Sequence, residues 1–261
     1  MHNGHKPSEI LSSAEQEIER PRVGVLFVHG LNGSRRDMED IVELVVQRGM
    51  IAENMQLPGH GTHVRDLLSL GWSDWSQAVR MELRKLKQAC DLVFLIGHSL
   101  GGALCLHTAA HEQVAGVVTM CAPLHMFFLT KPMVRLVRRF TPVLPTVRED
   151  VRDTVSRRGY TRGVYRWTPM APVESMLDYL PHLRQELLLV TAPALIINAT
   201  HDHVVPVRDG MAIYRALGSR EKELVTLHRS YHVVMKDCER EEVFAHILAF
   251  LECQIARYRQ E

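Results

Sequence analysis

The chain has 261 residues, of which 46% are hydrophobic and 23% charged, and these values are typical of one large globular domain. Because 31 Lys and Arg balance 30 Asp and Glu, the formal net charge is +1, so we expect no nucleic-acid partner held by charge. The composition, with no internal period, excludes collagen-like, disordered and repeat proteins.

The sequence also bears on membranes and compartment. No run approaches the roughly 18 apolar residues that a membrane-spanning helix needs, so we expect no stable membrane insertion. Residues 1–20 form a polar N-terminal segment without the apolar stretch of a secretory signal, which favours a cytoplasmic protein. The five cysteines are scattered without a CxxC pair, as free thiols in a reducing compartment are. A monomer and a homodimer both fit this composition.

Short, continuous apolar runs recur along the chain. They predict strands buried on both faces, as in a parallel sheet covered by helices. In chain order the runs are 23–28, 92–96, 114–120, 194–198 and the weaker 223–227. Apolar residues at steps of three and four predict helices over 75–90 and 244–255. This alternation predicts the α/β class with a mostly parallel, doubly wound sheet.

Residues 124–187 interrupt the alternation, because prolines punctuate them and no clear buried strand appears. We predict a small helical cap here, inserted before the last two strands, with residues 1–123 and 188–261 forming the core. If the cap is a lid, its aromatic residues Phe127, Phe128 and Trp167 are expected to contact substrate. A helical subdomain with its own small core explains the pattern equally well.

The cap segment is basic, with 11 Lys or Arg against six Asp or Glu. Such an excess can steer acidic substrates or contact anionic membranes. An ordinary solvated surface explains it more simply, since the basic positions form no tight cluster.

The most informative motif is Gly97-His98-Ser99-Leu100-Gly101, which lies between a predicted strand and a predicted helix. Gly-x-Ser-x-Gly in that context is typical of a nucleophile elbow, a tight turn that presents the serine above the sheet at a helix N-terminus. The motif predicts Ser99 as a catalytic nucleophile.

A serine nucleophile requires a base and an acid that orients the base, and in this arrangement they follow the serine in the order acid, histidine. Asp202 follows the strand 194–198, and His232 follows the strand 223–227. His228 lies too close to its strand to reach the elbow. His201 and His203 flank Asp202, but a zinc site would need a third ligand and none is apparent, so no metal is predicted.

The oxyanion hole needs backbone N–H donors near the nucleophile. Leu100, directly after Ser99, is one predicted donor. Leu31 is the other, because it lies in the loop after the first strand. His29 in the same loop is expected to brace the loop rather than to transfer protons.

Several motifs together resemble α/β-hydrolases, in particular bacterial carboxylesterases and monoacylglycerol lipases. They are 27–31 (FVHGL), 57–61 (LPGHG), 71–75 (GWSDW), 97–101 (GHSLG), 116–123 (GVVTMCAP) and 201–203 (HDH). The resemblance implies a triad of Ser99, Asp202 and His232, oxyanion donors at Leu31 and Leu100, a small-molecule ester as substrate and no cofactor. His98 departs from the family, whose nearest relatives often have an apolar residue before the serine.

The expected function is hydrolysis of carboxylic esters with short to medium acyl chains through an acyl-enzyme. A monoacylglycerol lipase or a lysophospholipase is the main alternative. A thioesterase, a haloperoxidase-type enzyme and a non-catalytic ligand receptor are further alternatives, because one fold hosts many functions.

Overall fold

The computed structural model describes residues 21–125, 131–146, 150–160 and 166–260. In these ranges a six-stranded sheet has the order β2-β1-β3-β4-β7-β8, and every neighbouring pair is parallel. Its strands are β1 (Val23–Val28), β2 (Ile51–Met55), β3 (Leu92–His98), β4 (Gly116–Met120), β7 (Ala194–Ala199) and β8 (Lys222–Leu227). Two short strands, β5 (Val143–Pro145) and β6 (Trp167–Pro169), pair antiparallel in a separate sheet.

Helices cover both faces of the six-stranded sheet. In chain order they are α1 (Glu39–Gln47), α2 (Trp72–Ala89), α3 (Leu100–His111), α4 (Lys131–Arg138), α5 (Thr154–Tyr160), α6 (Met170–Glu186), α7 (Arg208–Ala216) and α8 (Arg240–Tyr258). Residues of α2, α3, α6 and α7 form the hydrophobic core on one face, and residues of α1 and α8 form the core on the other. The predicted α/β class with a doubly wound parallel sheet is confirmed.

The continuous apolar runs have a simple structural reason. Along β1, Leu26 and Val28 pack into one core while Val25 and Phe27 pack into the other, and all four side chains are fully buried. Strands that bury both faces cannot alternate apolar with polar residues.

β2 was not predicted, because among the described strands it lies at the edge of the sheet and pairs only with β1. Its first residue, Ile51, is exposed, and only Met55 at its end is buried. A half-exposed edge strand needs no apolar run, so the sequence Ile-Ala-Glu-Asn-Met carries little strand signal.

The chain between β4 and β7 contains α4, β5, α5, β6 and α6. Beside the helices expected of the predicted cap, the structure shows a small antiparallel pair, β5 and β6, that the sequence did not predict. Each of these strands has three residues and ends in proline, which leaves no periodicity to detect.

Helix α6 connects the insertion to the core. Near its start, Met170 and Val173 pack with Val134 in a small separate cluster. Farther along, Leu180 and Leu183 belong to the main core beneath α2 and α3. The cap boundaries at residues 124 and 187 stay a prediction. Helix α6 contributes side chains to both of these hydrophobic clusters.

No helix in the described ranges is long and apolar enough to cross a membrane. The cytoplasmic location and the monomeric or dimeric state stay predictions.

The start of α3 lies unusually close to the end of β1. A Cβ atom at Gly101 would lie 2.1 Å from the carbonyl oxygen of Val28 and 2.6 Å from that of His29. Both neighbours are backbone atoms, which cannot rotate away as a side chain can. Glycine at this position therefore fixes the distance at which the helix crosses the strand.

We predict that Gly101→Ala destabilises the fold, because α3 and β1 must move apart to admit the methyl group. The expected loss is about 1–3 kcal/mol in the free energy of unfolding, measured by urea denaturation. Gly159→Ala in α5 is the matched control, since a Cβ there meets no atom within 4 Å. Equal stabilities of the two variants would contradict this account of the crossing.

Candidate active site

Ser99 forms the turn between β3 and α3. Its backbone has φ 51° and ψ −120°, a region that costs about 1–3 kcal/mol for a residue with a side chain. The Ser99 N–H donates to the carbonyl of Met120 at 2.8 Å, which ties the turn to β4. A Cβ at Gly97 would lie 2.3 Å from the carbonyl oxygen of Gly101, so the turn closes only with glycine there. These features are those expected of a nucleophile elbow.

Asp202 and His232 meet beside this turn, on the loops that follow β7 and β8. His232 Nδ1 donates to Asp202 Oδ2 at 2.7 Å, and both side chains are buried. The other carboxylate oxygen, Oδ1, accepts the N–H groups of Val204 at 2.7 Å and Val205 at 2.8 Å. This pattern orients the neutral imidazole with its Nδ1 proton toward Asp202, so that Nε2 is the unprotonated nitrogen.

The charge of Asp202 is stabilised in place. Burial by itself raises the pKa of this carboxyl group, but the charge and hydrogen bond of His232 and the two backbone N–H donors outweigh it. The pKa of Asp202 therefore lies below its ordinary value. An ionised acid next to the imidazole is the form that stabilises a histidine when it gains a proton.

His98 connects the turn to the His232 loop. Its Nε2 donates to the carbonyl oxygen of His232 at 3.1 Å, and the two ring centroids are 4.8 Å apart. Burial lowers the pKa of His98 to about 3, with a smaller contribution from the neighbouring His232. The ring is therefore neutral near pH 7. The residue that departs from the family pattern thus holds the backbone of His232 beside Ser99. No local pattern in the sequence indicates this contact.

Glu239 holds the start of the same loop. Its carboxylate accepts the N–H groups of His228, Arg229 and Ser230 and the Ser230 hydroxyl, at 2.7–3.1 Å. Burial by itself raises the pKa of Glu239, but these donors outweigh it and hold the pKa at about 2. His228 is exposed, whereas His232 is buried and hydrogen-bonded to Asp202.

Asp237 holds the end of the loop and also part of the insertion. It accepts the N–H groups of Tyr231 and Cys238 from the loop itself. It also accepts those of Arg152 at 2.8 Å and Asp153 at 2.9 Å, just before α5. In the sequence, this hydrogen-bonding role is indicated only by the acidic residues that closely follow His232.

The predicted oxyanion donors lie on both sides of Ser99. Leu100 is the first residue of α3, where backbone N–H groups have no partner within the helix. On the other side, a Cβ at Gly30 would lie 3.1 Å from Ser99 Cβ, so the backbone of the 29–34 loop directly contacts the nucleophile turn. Leu31 follows Gly30 in this loop, and Leu100 directly follows Ser99. Their role as oxyanion donors stays a prediction.

His29 braces this loop, as expected. Its Nδ1 donates to the Gly30 carbonyl at 2.9 Å, and its Nε2 accepts the N–H of Leu57 at 3.1 Å. Burial lowers the pKa of His29 to about 3, with a smaller contribution from the neighbouring His60. A neutral, buried ring with both nitrogens bonded is suited to support and not to proton transfer.

The predicted substrate contacts are less well defined. Trp167 begins β6 and is half-exposed. The next residue, Thr168, accepts a hydrogen bond from Asn32 Nδ2 at 2.8 Å, which places β6 against the loop of residues 29–34. Phe127 and Phe128 lie outside the described residues.

A metal at this site is disfavoured by the protonation of one candidate ligand. One ligand atom each of Cys121, Asp202 and His232 lies within 4.8 Å of the others. However, burial raises the pKa of the Cys121 thiol well above its ordinary value, so the thiol is neutral. A neutral thiol is a poor metal ligand.

Comparison with known proteins agrees with this geometry. The family described as serine aminopeptidase, S33, matches residues 19–239. The chain belongs to this family of α/β-hydrolases. The expectation of an α/β-hydrolase fold is confirmed.

Three relatives of the hydrolase are informative. The thermostable monoacylglycerol lipase of Bacillus sp. (strain H-257) is 30% identical over 243 residues, covering 92% of this chain and 95% of the lipase. The carboxylesterase of Bacillus subtilis (strain 168) is 26% identical over 236 residues, covering 87% and 92%. A solved structure described under LipS and LipT, two metagenome-derived lipolytic enzymes, has a TM-score of 0.81 at 32% identity, covering 88% of this chain and 94% of that one. The predicted kinship with ester-cleaving enzymes is confirmed.

Asp37 of the hydrolase contacts the loop of residues 29–34, which contains the predicted oxyanion donor Leu31. Its Oδ2 accepts the N–H of Ser34 at 3.1 Å, and a Cβ at Gly33 would lie 2.3 Å from the same oxygen. The side chain is buried, and burial is the main reason that its pKa rises from 3.8 to about 6. The carboxylate is therefore held in an environment that favours its neutral form.

We predict that Asp37→Asn changes how the stability of the hydrolase depends on pH. Because the pKa in the folded state is raised, the contribution of Asp37 is complete below about pH 4 and is lost as the pH rises through 6. Between pH 5 and 7.5 the native chain should lose about 1 kcal/mol of unfolding free energy relative to Asp37→Asn. Urea denaturation of both proteins at the two pH values measures this difference, and a constant difference would contradict the shifted pKa.

Proposed function

We propose that the hydrolase cleaves carboxylic esters by acyl transfer, with Ser99 as nucleophile, His232 as general base and Asp202 as the acid that orients it. The observation that carries the proposal is the buried His232–Asp202 pair, whose backbone is bonded to His98 directly before Ser99. The membership in the S33 family and the ester-cleaving relatives support the same reaction class.

In the proposed first step, Ser99 Oγ attacks the ester carbonyl carbon while His232 Nε2 takes the hydroxyl proton. Asp202 stabilises the resulting imidazolium, and the backbone N–H groups of Leu31 and Leu100 stabilise the oxyanion. The alcohol then leaves with the proton from His232. Water enters, loses a proton to His232 and releases the acid from Ser99, which restores the starting state.

The proposed substrates are small esters with short to medium acyl chains. Relatives named carboxylesterase and monoacylglycerol lipase match nearly the whole chain, and both names describe enzymes for single ester bonds in small molecules. Monoacylglycerol hydrolysis is the second candidate, because the relative with 30% identity carries that name. The insertion, with Phe127, Phe128 and Trp167, is proposed to form the wall of the acyl pocket.

We predict that Ser99→Ala and His232→Ala each abolish hydrolysis of p-nitrophenyl butyrate. Loss of either member of such a triad lowers kcat by about 10⁴–10⁶-fold, because the nucleophile and its base act as a unit. Asp202→Asn should be severe as well, since an amide stabilises the wrong tautomer of His232.

The matched control is His228→Ala, which removes an exposed imidazole from the same loop and should retain most activity. A fluorophosphonate probe should label the native chain and not Ser99→Ala. Retained activity in Ser99→Ala, or a lethal effect of His228→Ala instead of His232→Ala, would overturn the assignment.

We predict that kcat/KM rises with acyl length from acetate to medium chains and then falls. Each buried methylene stabilises the bound ester by about 0.8 kcal/mol until the chain meets the back of the pocket. The measurement is kcat/KM for p-nitrophenyl esters from acetate to palmitate, with monooleoylglycerol and trioleoylglycerol alongside. Monooleoylglycerol should be accepted and trioleoylglycerol should be poor. A maximum at palmitate, or activation at an oil–water interface, would favour a lipase instead.

A further inference from the structure

Two helices end at the same place, far from Ser99. His107 and His111 lie in the last turns of α3, and Glu186 is the last residue of α6. Helix α3 has 12 residues, so its C-terminal end is about 18 Å from the nucleophile turn. The cluster is therefore separate from the site described above.

The three side chains bring their ligand atoms together. His107 Nδ1 is 2.8 Å from Glu186 Oε2, and His111 Nε2 is 3.2 Å from Glu186 Oε1. One ligand atom from each of the three residues lies within 4.8 Å of the other two. Histidines four residues apart share one face of a helix, which is a spacing that zinc-binding helices use.

We propose that His107, His111 and Glu186 bind a divalent transition-metal ion, Zn²⁺ by preference, which joins the ends of α3 and α6. Imidazole nitrogen and carboxylate oxygen are ligands of choice for zinc. In a tetrahedral zinc site with bonds of about 2.0–2.1 Å, neighbouring ligand atoms are about 3.3 Å apart. The distance from His111 Nε2 to Glu186 Oε1 is close to this value, and the distance from His107 Nδ1 to the other oxygen, Oε2, is about half an ångström shorter. Zinc binding therefore requires the carboxylate to rotate until one oxygen faces both nitrogens.

The surroundings also suit a cation. The C-terminal ends of α3 and α6 converge on the cluster, and each carries the partial negative charge of its last carbonyl groups. Tyr179 donates its hydroxyl proton to Glu186 Oε1 at 2.7 Å, which orients the carboxylate as outer residues orient metal ligands. One feature opposes a cation: Arg80, Arg84 and Lys87 lie 3.1–4.0 Å from Glu112, and a single carboxylate does not balance three positive charges.

The sequence did not reveal this site, because His107 and Glu186 are 79 residues apart. Only the packing of α6 against α3 brings them together. A metal there would connect the last helix of the insertion to the helix that follows the proposed nucleophile, so its expected role is to stabilise that packing.

The test is zinc binding by the untagged full-length chain. All proteins carry Cys238→Ser and Cys253→Ser, because these exposed thiols bind zinc themselves. After removal of metal with EDTA, zinc is titrated at pH 7.5 in competition with a chromophoric chelator, and thermal unfolding is recorded with and without zinc. We expect one tight site per chain and a higher Tm with zinc.

His111→Ala should weaken this site at least tenfold and remove the zinc-dependent rise in Tm. The matched control, His246→Ala, removes another partly exposed histidine that pairs with a glutamate and should change neither. His111→Gln and Glu186→Gln are measured alongside, with circular dichroism to verify folding. Equal zinc affinity and equal Tm shifts in the His111, Glu186 and His246 variants would overturn the proposal, as would the absence of a tight site in the parent.

Discussion

Buried carboxylates accept backbone N–H groups at the carboxyl edge of the sheet, and the geometry of the proposed site depends on them. They are Asp202, Asp209, Asp237 and Glu239, and each accepts at least two backbone N–H groups. The loops that follow parallel strands take no part in the hydrogen bonds between strands. Their N–H groups therefore need other acceptors. A hydrogen bond to a charged group contributes about 1.5–3 kcal/mol, more than a neutral one. These acids therefore define where each loop lies.

A buried carboxylate that accepts backbone N–H groups also attaches the insertion to the core. Asp209 in α7 accepts the N–H groups of Leu124 and His125, where the insertion begins. His125 also donates its Nδ1 proton to Asp209 and accepts a hydrogen bond from Arg184 in α6 at 2.6 Å. The two ends of the insertion thus share one imidazole, and this arrangement requires the neutral tautomer that donates from Nδ1.

Sequence reasoning succeeded where a local pattern has one structural meaning. The doubly buried strands depend on short stretches of chain. So do the positions of Ser99 in the turn after β3 and of Asp202 and His232 after β7 and β8, whose catalytic roles stay predictions. It failed for β2 and for the β5–β6 pair, whose few residues carry no periodicity. It also missed the contacts made between distant segments, such as His98 with the His232 backbone. Spacing along the chain does not encode such contacts.

Asp237 accepts N–H groups from the His232 loop and from residues 152–153 of the insertion. The Val233 N–H adds a bond to the Asp150 carbonyl at 2.9 Å. The insertion and the proposed base are therefore mechanically coupled at this point. Movement of the 150–153 backbone would break two hydrogen bonds to the buried Asp237 and the bond to Val233, the neighbour of His232. The position of the insertion therefore bears on where the imidazole of His232 lies.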